Sequence, residues 1–219
     1  MNRPALTRNI ALLALTALIF FGGILKISSV QATNPPARPA LGKETAVFAG
    51  GCFWGVEAVF EHLQGVEGVV SGYSGGDGAT AHYEAVGTGW TGHAEVVQVT
   101  YDPKQISYNE LLKVYFLVAH DPTQLNRQGP DSGTQYRSAI FFTNPKQQQA
   151  AQRYIARLNQ TQQFPKPIVT QLTPLTSFYP AEDYHQNFIT RNPNYPYVVV
   201  HDLPKLAQLQ KQFPNTYKP

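Results

Sequence analysis

A single cysteine, Cys52, stands in 219 residues. The chain can therefore close no disulfide of its own and can build no multi-cysteine metal site. Its fold has to be held by apolar burial and hydrogen bonding alone. Hydrophobic residues make up 42% and charged residues only 14%, where a quarter is usual. That balance supports a real core and excludes a disordered acidic chain, a highly charged nucleic-acid binder and a coiled coil. Gly and Pro stand at 17 each, so the apolar runs are short and punctuated by turns.

Residues 1–32 stand apart. Arg3 and Arg8 precede an apolar run from Ile10 to Leu25, and Lys26 follows it. Thr16, Gly22 and Gly23 interrupt the run, which is too short to read as a spanning helix. Val30 and Ala32 occupy the minus-three and minus-one positions of a signal-peptidase site. The expectation is an export signal cleaved after Ala32, which places the protein in a periplasmic or other extracytoplasmic space. The alternative is a retained N-terminal anchor that tethers the chain to a membrane. Residues 33–43, rich in Pro and Ala, read as a linker, and 44–219 as the domain. The net charge of +3 belongs to the leader. Arg3, Arg8 and Lys26 are its only charges, and 17 basic residues less those three leaves 14, equal to the acidic count. The remaining chain is formally neutral, which removes the argument for a nucleic-acid partner.

Within the domain, hydrophobic periodicity and turn residues predict strands at 44–49, 66–73, 95–101, 137–142 and 168–172. Helices are predicted from Cys52 to about 62, from a capping box at Ser107-Tyr108-Asn109-Glu110 to about 119, from Asn144-Pro145 to about 158, and at 183–189 and 204–213. Two long loops, 76–92 and the stretch after Pro122 up to Tyr136, are of the kind that carries function. Strands and helices mix without strict alternation, which predicts an α+β two-layer domain.

Cys52 falls at a strand-to-helix turn behind Gly50 and Gly51. Free backbone N–H groups and the helix dipole stabilise an anion there, which predicts a depressed thiol pKa and a reactive thiolate. A lone cysteine is otherwise a small buried hydrophobe. Among the six histidines (His62, His82, His93, His120, His185, His201), no pair has the spacing of a helical zinc motif. The glycines near 72–78 lack a nucleotide-binding pattern.

The string Gly51-Cys52-Phe53-Trp54-Gly55 resembles the active-site signature of the A-type peptide methionine sulfoxide reductases. Further segments follow in the family's order: Gly72-Tyr73-Ser74-Gly75-Gly76, Tyr83-Glu84-Ala85-Val86, Thr91-Gly92-His93-Ala94-Glu95, His120-Asp121-Pro122-Thr123-Gln124, Gln128-Gly129-Pro130-Asp131, Gly133-Thr134-Gln135-Tyr136-Arg137-Ser138 and Ala181-Glu182-Asp183-Tyr184-His185-Gln186. One five-residue match carries little, but this ordered series over about 46–192 is specific.

The resemblance implies a mixed sheet with a ferredoxin-like core and no metal or other cofactor. It implies Cys52 as the nucleophile at sulfur and Glu95 as the acid, with Tyr83 and Tyr136 holding the sulfoxide oxygen. Phe53 and Trp54 would pack on the methyl group, Asp131 would be a polar wall group, and His185 would sit behind the pocket or on its rim. The implied activity reduces methionine S-sulfoxide, free or in peptides and oxidised proteins, and leaves a sulfenic acid on Cys52. Relatives often recycle that acid with a second cysteine. Here Val198 stands directly after the 192–197 segment, where some carry it, so the reductant must be an external thiol: thioredoxin, glutaredoxin or a small thiol. A monomer is expected. Two other readings stay open at this point. One is a cysteine hydrolase with His120 or His185 as base, the other a non-catalytic pocket that grips a methylthio group.

Overall fold

The computed structural model describes residues 42–219; the expectations for 1–32, and for the linker up to residue 41, lie outside the described residues. In chain order the elements are β1 (Glu44–Gly50), α1 (Phe53–Glu61), β2 (Val66–Ser74), α2 (Tyr83–Val86), β3 (Ala94–Tyr101) and α3 (Tyr108–Val114). A small hairpin follows, β4 (Arg127–Gln128) with β5 (Asp131–Ser132), then β6 (Ser138–Phe142) and α4 (Pro145–Gln160). The chain ends with β7 (Gln171–Pro174), β8 (Tyr179–Pro180), α5 (Phe188–Arg191) and α6 (Leu203–Gln212).

The main sheet has the order β7-β6-β1-β3-β2-β8. Its neighbours are antiparallel except for β6 and β7, which run parallel. The inner four strands with α1 and α3 form a split βαβ unit of ferredoxin-like order. The expected α+β domain with a mixed sheet is therefore the one observed.

Alternation sorts the strand residues onto two buried faces. Phe48, Val97, Val99, Tyr101 and Ile140 meet Val56, Val59 and Phe60 of α1, Leu111 and Leu112 of α3, Ala151 of α4 and Leu209 of α6. The opposite residues, Val47, Ala49, Val96, Ala139 and Phe141, are covered by Phe178 and Leu175 from irregular chain rather than by a second helical layer. This arrangement also positions the site. β1 and β3 are antiparallel, with Phe48 opposite Val97. The end of β1 before Cys52 thus lies beside the start of β3 at Glu95.

Several boundaries differ from expectation. The capping box of Ser107 and Glu110 is formed, but the helix it starts widens after Val114 into a π turn, Tyr115–Ala119. The strand predicted at 168–172 is shifted to 171–174. Ile168 N–H donates to Asn159 Oδ1 and Val169 N–H to the Pro122 carbonyl, so neither joins the sheet. The helix predicted at 183–189 is replaced by turns and α5, because Asn187 takes a left-handed conformation (φ 52°) and a helix cannot pass through it. The loop 76–92 contains α2 and a 3₁₀ turn, Gly78–Thr80. β8 and a second π turn, Val198–Asp202, carry too few residues to give a periodic signal.

Candidate active site

Cys52 is the N-cap of α1, immediately past the end of β1. Gly51 has φ 91°, and a Cβ there would come within 2.5 Å of the Gln128 side chain. Glycine is thus required both by the backbone and by the close approach of the β4–β5 hairpin. That hairpin carries Asp131 to the same edge. The thiol is partly exposed in a pocket of about 180 Å³ lined by Phe53, Trp54, Tyr83, Glu95, Asp131, Tyr136, Tyr195 and Tyr197. A larger, open hollow of about 820 Å³ between Ser107 and Arg153 contains no cysteine, serine–histidine pair or carboxylate cluster, and no chemistry follows from its size.

Glu95 is 3% exposed. Its Oε2 accepts the N–H of Phe53, the first residue of α1, at 3.0 Å. Burial pushes its carboxyl up to about 8, against the pull of that N–H and with a further push from Asp131. At neutral pH Glu95 therefore holds its proton and can give it away.

The thiol departs from expectation. Burial, then the carboxylates of Glu95 and Asp202, push Cys52 well above its ordinary range, while the Trp54 N–H and the Lys205 ammonium pull the other way. The helix N-terminus is present, but its first N–H is already taken by Glu95, and desolvation outweighs what remains. The resting site holds a thiol, not a thiolate. A protonated Glu95 lightens this load, since a neutral carboxyl does not repel a forming anion.

The tyrosines remain donors. Burial, then the neighbouring Glu95, raise both Tyr83 and Tyr136. Neither hydroxyl has a protein partner among the described residues, so both are free to bind a ligand oxygen. Tyr83 is held by its backbone N–H, which donates to Glu182 Oε1 at 2.9 Å; Glu182 Oε2 accepts the Tyr73 hydroxyl at 2.9 Å.

The wall is aromatic. Trp54 stacks on Phe188 at 3.7 Å and meets Tyr195 and Tyr197 edge-on at 6.2 and 6.0 Å. The Tyr197 hydroxyl donates to Asp131, so Asp131 is tied to the wall. The sequence reading missed Tyr195 and Tyr197; Tyr197 already has helical backbone where the chain enters the π turn, so no strand alternation marks the pair.

His185 does not reach the pocket. It is 2% exposed and lies behind the wall, 4.4 Å from the Tyr83 ring and 5.0 Å from Phe53. Its Nδ1 accepts the Trp54 indole N–H at 3.0 Å, and burial lowers its pKa. The ring is thus neutral with its proton on Nε2. Its place is support for Trp54, not the rim and not substrate contact. His120 is also occupied. Its Nδ1 donates to the Tyr115 carbonyl at 3.0 Å and its Nε2 accepts from the Ser138 hydroxyl at 2.7 Å. No histidine lines the pocket, so the Cys–His hydrolase pair is not assembled.

A family model described as peptide methionine sulfoxide reductase matches residues 44–217. A curated relative from Mesorhizobium japonicum, peptide methionine sulfoxide reductase MsrA 2, is 59% identical over 180 residues, which are 82% of this chain and 92% of the relative. One of the same name from Synechocystis is 57% identical over 185 residues, 84% and 86% of the two chains. Among solved structures, methionine sulfoxide reductase A of Corynebacterium diphtheriae gives a TM-score of 0.62 at 37% identity, over 70% of this chain and 76% of the other. Reduced Mxr1 from Saccharomyces cerevisiae gives 0.62 at 35% identity, over 70% and 88%. The residues that set the pocket and these matches agree: the chain belongs to the peptide methionine sulfoxide reductase family.

Proposed function

We propose that this enzyme reduces methionine S-sulfoxide, in oxidised proteins, in peptides or free, and so repairs oxidative damage. The observation that carries the reading is a protonated Glu95 and a lone thiol in one small aromatic pocket. The methyl group packs on Phe53 and Trp54, a soft apolar group on aromatic rings. The sulfoxide oxygen takes hydrogen bonds from Tyr83 and Tyr136, which strengthen as charge develops on it. Glu95 gives its proton to that oxygen as Cys52 attacks the sulfur, and the thiol's proton replaces the one given up. Asp131 fixes the wall through Tyr197. In the balance, the oxygen passes to the cysteine sulfur as a hydroxyl and the transient bond between the two sulfurs breaks, so the substrate sulfur is reduced by two electrons and Cys52 becomes a sulfenic acid.

Recycling needs an external thiol, because Cys52 is the only cysteine in the sequence. One thiol attacks the sulfenic sulfur and expels water. A second thiol, or the second sulfur of a dithiol such as thioredoxin or glutaredoxin, then releases Cys52 and leaves a disulfide. Nothing in this scheme draws on a metal or an organic cofactor.

Mixing the reductant-free protein with methionine S-sulfoxide tests the reading. One equivalent of methionine per chain is expected, together with a dimedone-trappable sulfenic acid on Cys52. No burst, or an equal burst with the R epimer, overturns it. The export signal over 1–32 belongs to the same proposal and is supported by Arg3, Arg8, the apolar run and the Val30–Ala32 site. An intact mass beginning at Thr33 in the extracytoplasmic fraction is expected; a mass beginning at Met1 in the membrane fraction replaces it with the tether.

A further inference from the structure

The pocket wall carries two carboxyls, Glu95 and Asp131, and four tyrosines, Tyr83, Tyr136, Tyr195 and Tyr197, but no cation. A thiolate has to form there against burial and negative neighbours. The compensating charge lies behind the wall, at the first turn of α1. Gly55 is the third residue of that helix, with Cys52 as its N-cap. A Cβ at Gly55 would stand 2.2 Å from Asp202 Oδ1 and 2.7 Å from Lys205 Nζ. The space left by the missing side chain is thus filled by an ion pair, Lys205 Nζ to Asp202 Oδ1 at 3.2 Å. Gly55 lies three residues after Cys52, so the pair fills a gap in the helical turn that the thiol residue caps.

The pair is built into the structure rather than lying on its surface. Asp202 is fully buried and its Oδ2 has no partner, and the Lys205 side chain is 19% exposed. Both come from the start of α6 and the π turn before it. Besides Lys205, the ionisable groups beside Asp202 are His201 on that turn and Asp131 from the β4–β5 hairpin, whose negative charge opposes it. A buried carboxylate that satisfies only one of its oxygens is costly unless it holds something in place, and what it holds here is the ammonium.

We infer that Lys205 is a positioning residue for the reaction: anchored by Asp202 in the gap at Gly55, it supplies the positive charge against which the Cys52 thiolate forms. Asp202 sets the opposing side of the balance, since it both places the ammonium and adds a negative charge near the sulfur. The reductase reading supplies the use of the thiolate, but the device itself can be tested without any sulfoxide.

Because the chain has one cysteine, the rate of iodoacetamide alkylation against pH reports on Cys52 alone. Lys205→Met is expected to move this profile to higher pH and to slow alkylation at pH 7.5 about threefold or more, half a pKa unit being about a threefold change in thiolate. Lys205→Arg is expected to stay within about twofold of the parent, and Asp202→Asn to alkylate faster than the parent. Near-UV circular dichroism of each variant checks that the fold is kept. If Lys205→Met keeps the fold and matches the parent profile, the inference is wrong. Single-turnover reduction of methionine S-sulfoxide by the same variants separates the two readings. A shifted alkylation profile without any sulfoxide reduction by the parent would sink the reductase reading and leave the charge device standing.

Discussion

Cys52 and Glu95 sit at the ends of β1 and β3, where sheet pairing fixes the backbone on both sides. Trp54's supports, Tyr195, Tyr197 and His185, sit on residues 181–202, a stretch with one four-residue helix and a π turn. The reacting atoms are thus placed by ladders of backbone hydrogen bonds, and the wall by individual side chains. Gln186 alone makes three bonds: it accepts the Ser71 N–H and donates to the carbonyls of Ser71 and Ala181. The Trp54–His185 and Tyr197–Asp131 contacts work in the same way. The contrast predicts two kinds of damage. Changes at the sheet end should remove chemistry and leave binding and fold intact; changes in the wrap, Asp202 aside, should loosen binding and stability and leave the chemical step nearly whole.

The largest effect is expected for Cys52→Ser, which should bring turnover of methionine S-sulfoxide to background while the sulfoxide still binds. Measurable turnover in that variant would break the assignment outright. Glu95→Gln should slow the first step about 100-fold, the scale of a lost general acid, and should remove the fall in single-turnover rate as pH rises through about 8.

Glu95→Gln also tests the energetics of the sheet end. The carboxyl titrates near 4.5 when unfolded and at about 8 when folded. Between those values the folded protein holds a proton that the unfolded chain has lost, so parent stability falls as pH rises through that window. The Gln variant should therefore melt higher than the parent at pH 8, with the gap closing towards pH 4.5. A gap that does not change with pH would mean that Glu95 is already ionised.

Tyr136→Phe should cost about tenfold in kcat, one hydrogen bond of about 1.4 kcal/mol to the developing oxygen charge. In the wrap, Gln186→Ala should lower stability by about 2 kcal/mol and raise KM several-fold while kcat stays within about twofold. If kcat falls as far as KM rises, the two regions are not separable. The smallest effect is expected for Tyr197→Phe, a rise of about threefold in KM, read by steady-state kinetics with a small dithiol.

Much of the sheet end was legible in the sequence. Gly50-Gly51-Cys52 marks a strand-to-helix turn, and Val97, Val99 and Tyr101 alternate as a strand does. The family motifs carry Glu95, Tyr83 and Tyr136 to the same pocket. The wrap was largely illegible. It contains no strand, its α-helix has four residues, and its conformation rests on long-range partners such as Glu182 with Tyr73 and Tyr83. Periodicity over such lengths carries no signal, and a left-handed Asn187 is not announced by its neighbours. His185 was named, but sequence order does not say on which side of Trp54 a ring lies, so only the structure decided between a place behind the pocket and one on its rim.

By itself the sequence determined the family, the lone nucleophile and the need for an outside reductant. Those follow from residue identity and order, and no folding can add a second thiol. Only the tertiary structure decided the protonation of the site. A cysteine at a helix N-terminus reads as a low-pKa thiol, yet burial first, and then its acidic neighbours Glu95 and Asp202, push it up, and burial likewise keeps the proton on Glu95. Desolvation and through-space charge depend on which distant segments close over a residue. Asp202 and Lys205, some 150 positions along the chain from Cys52, meet its helix only once the fold has formed.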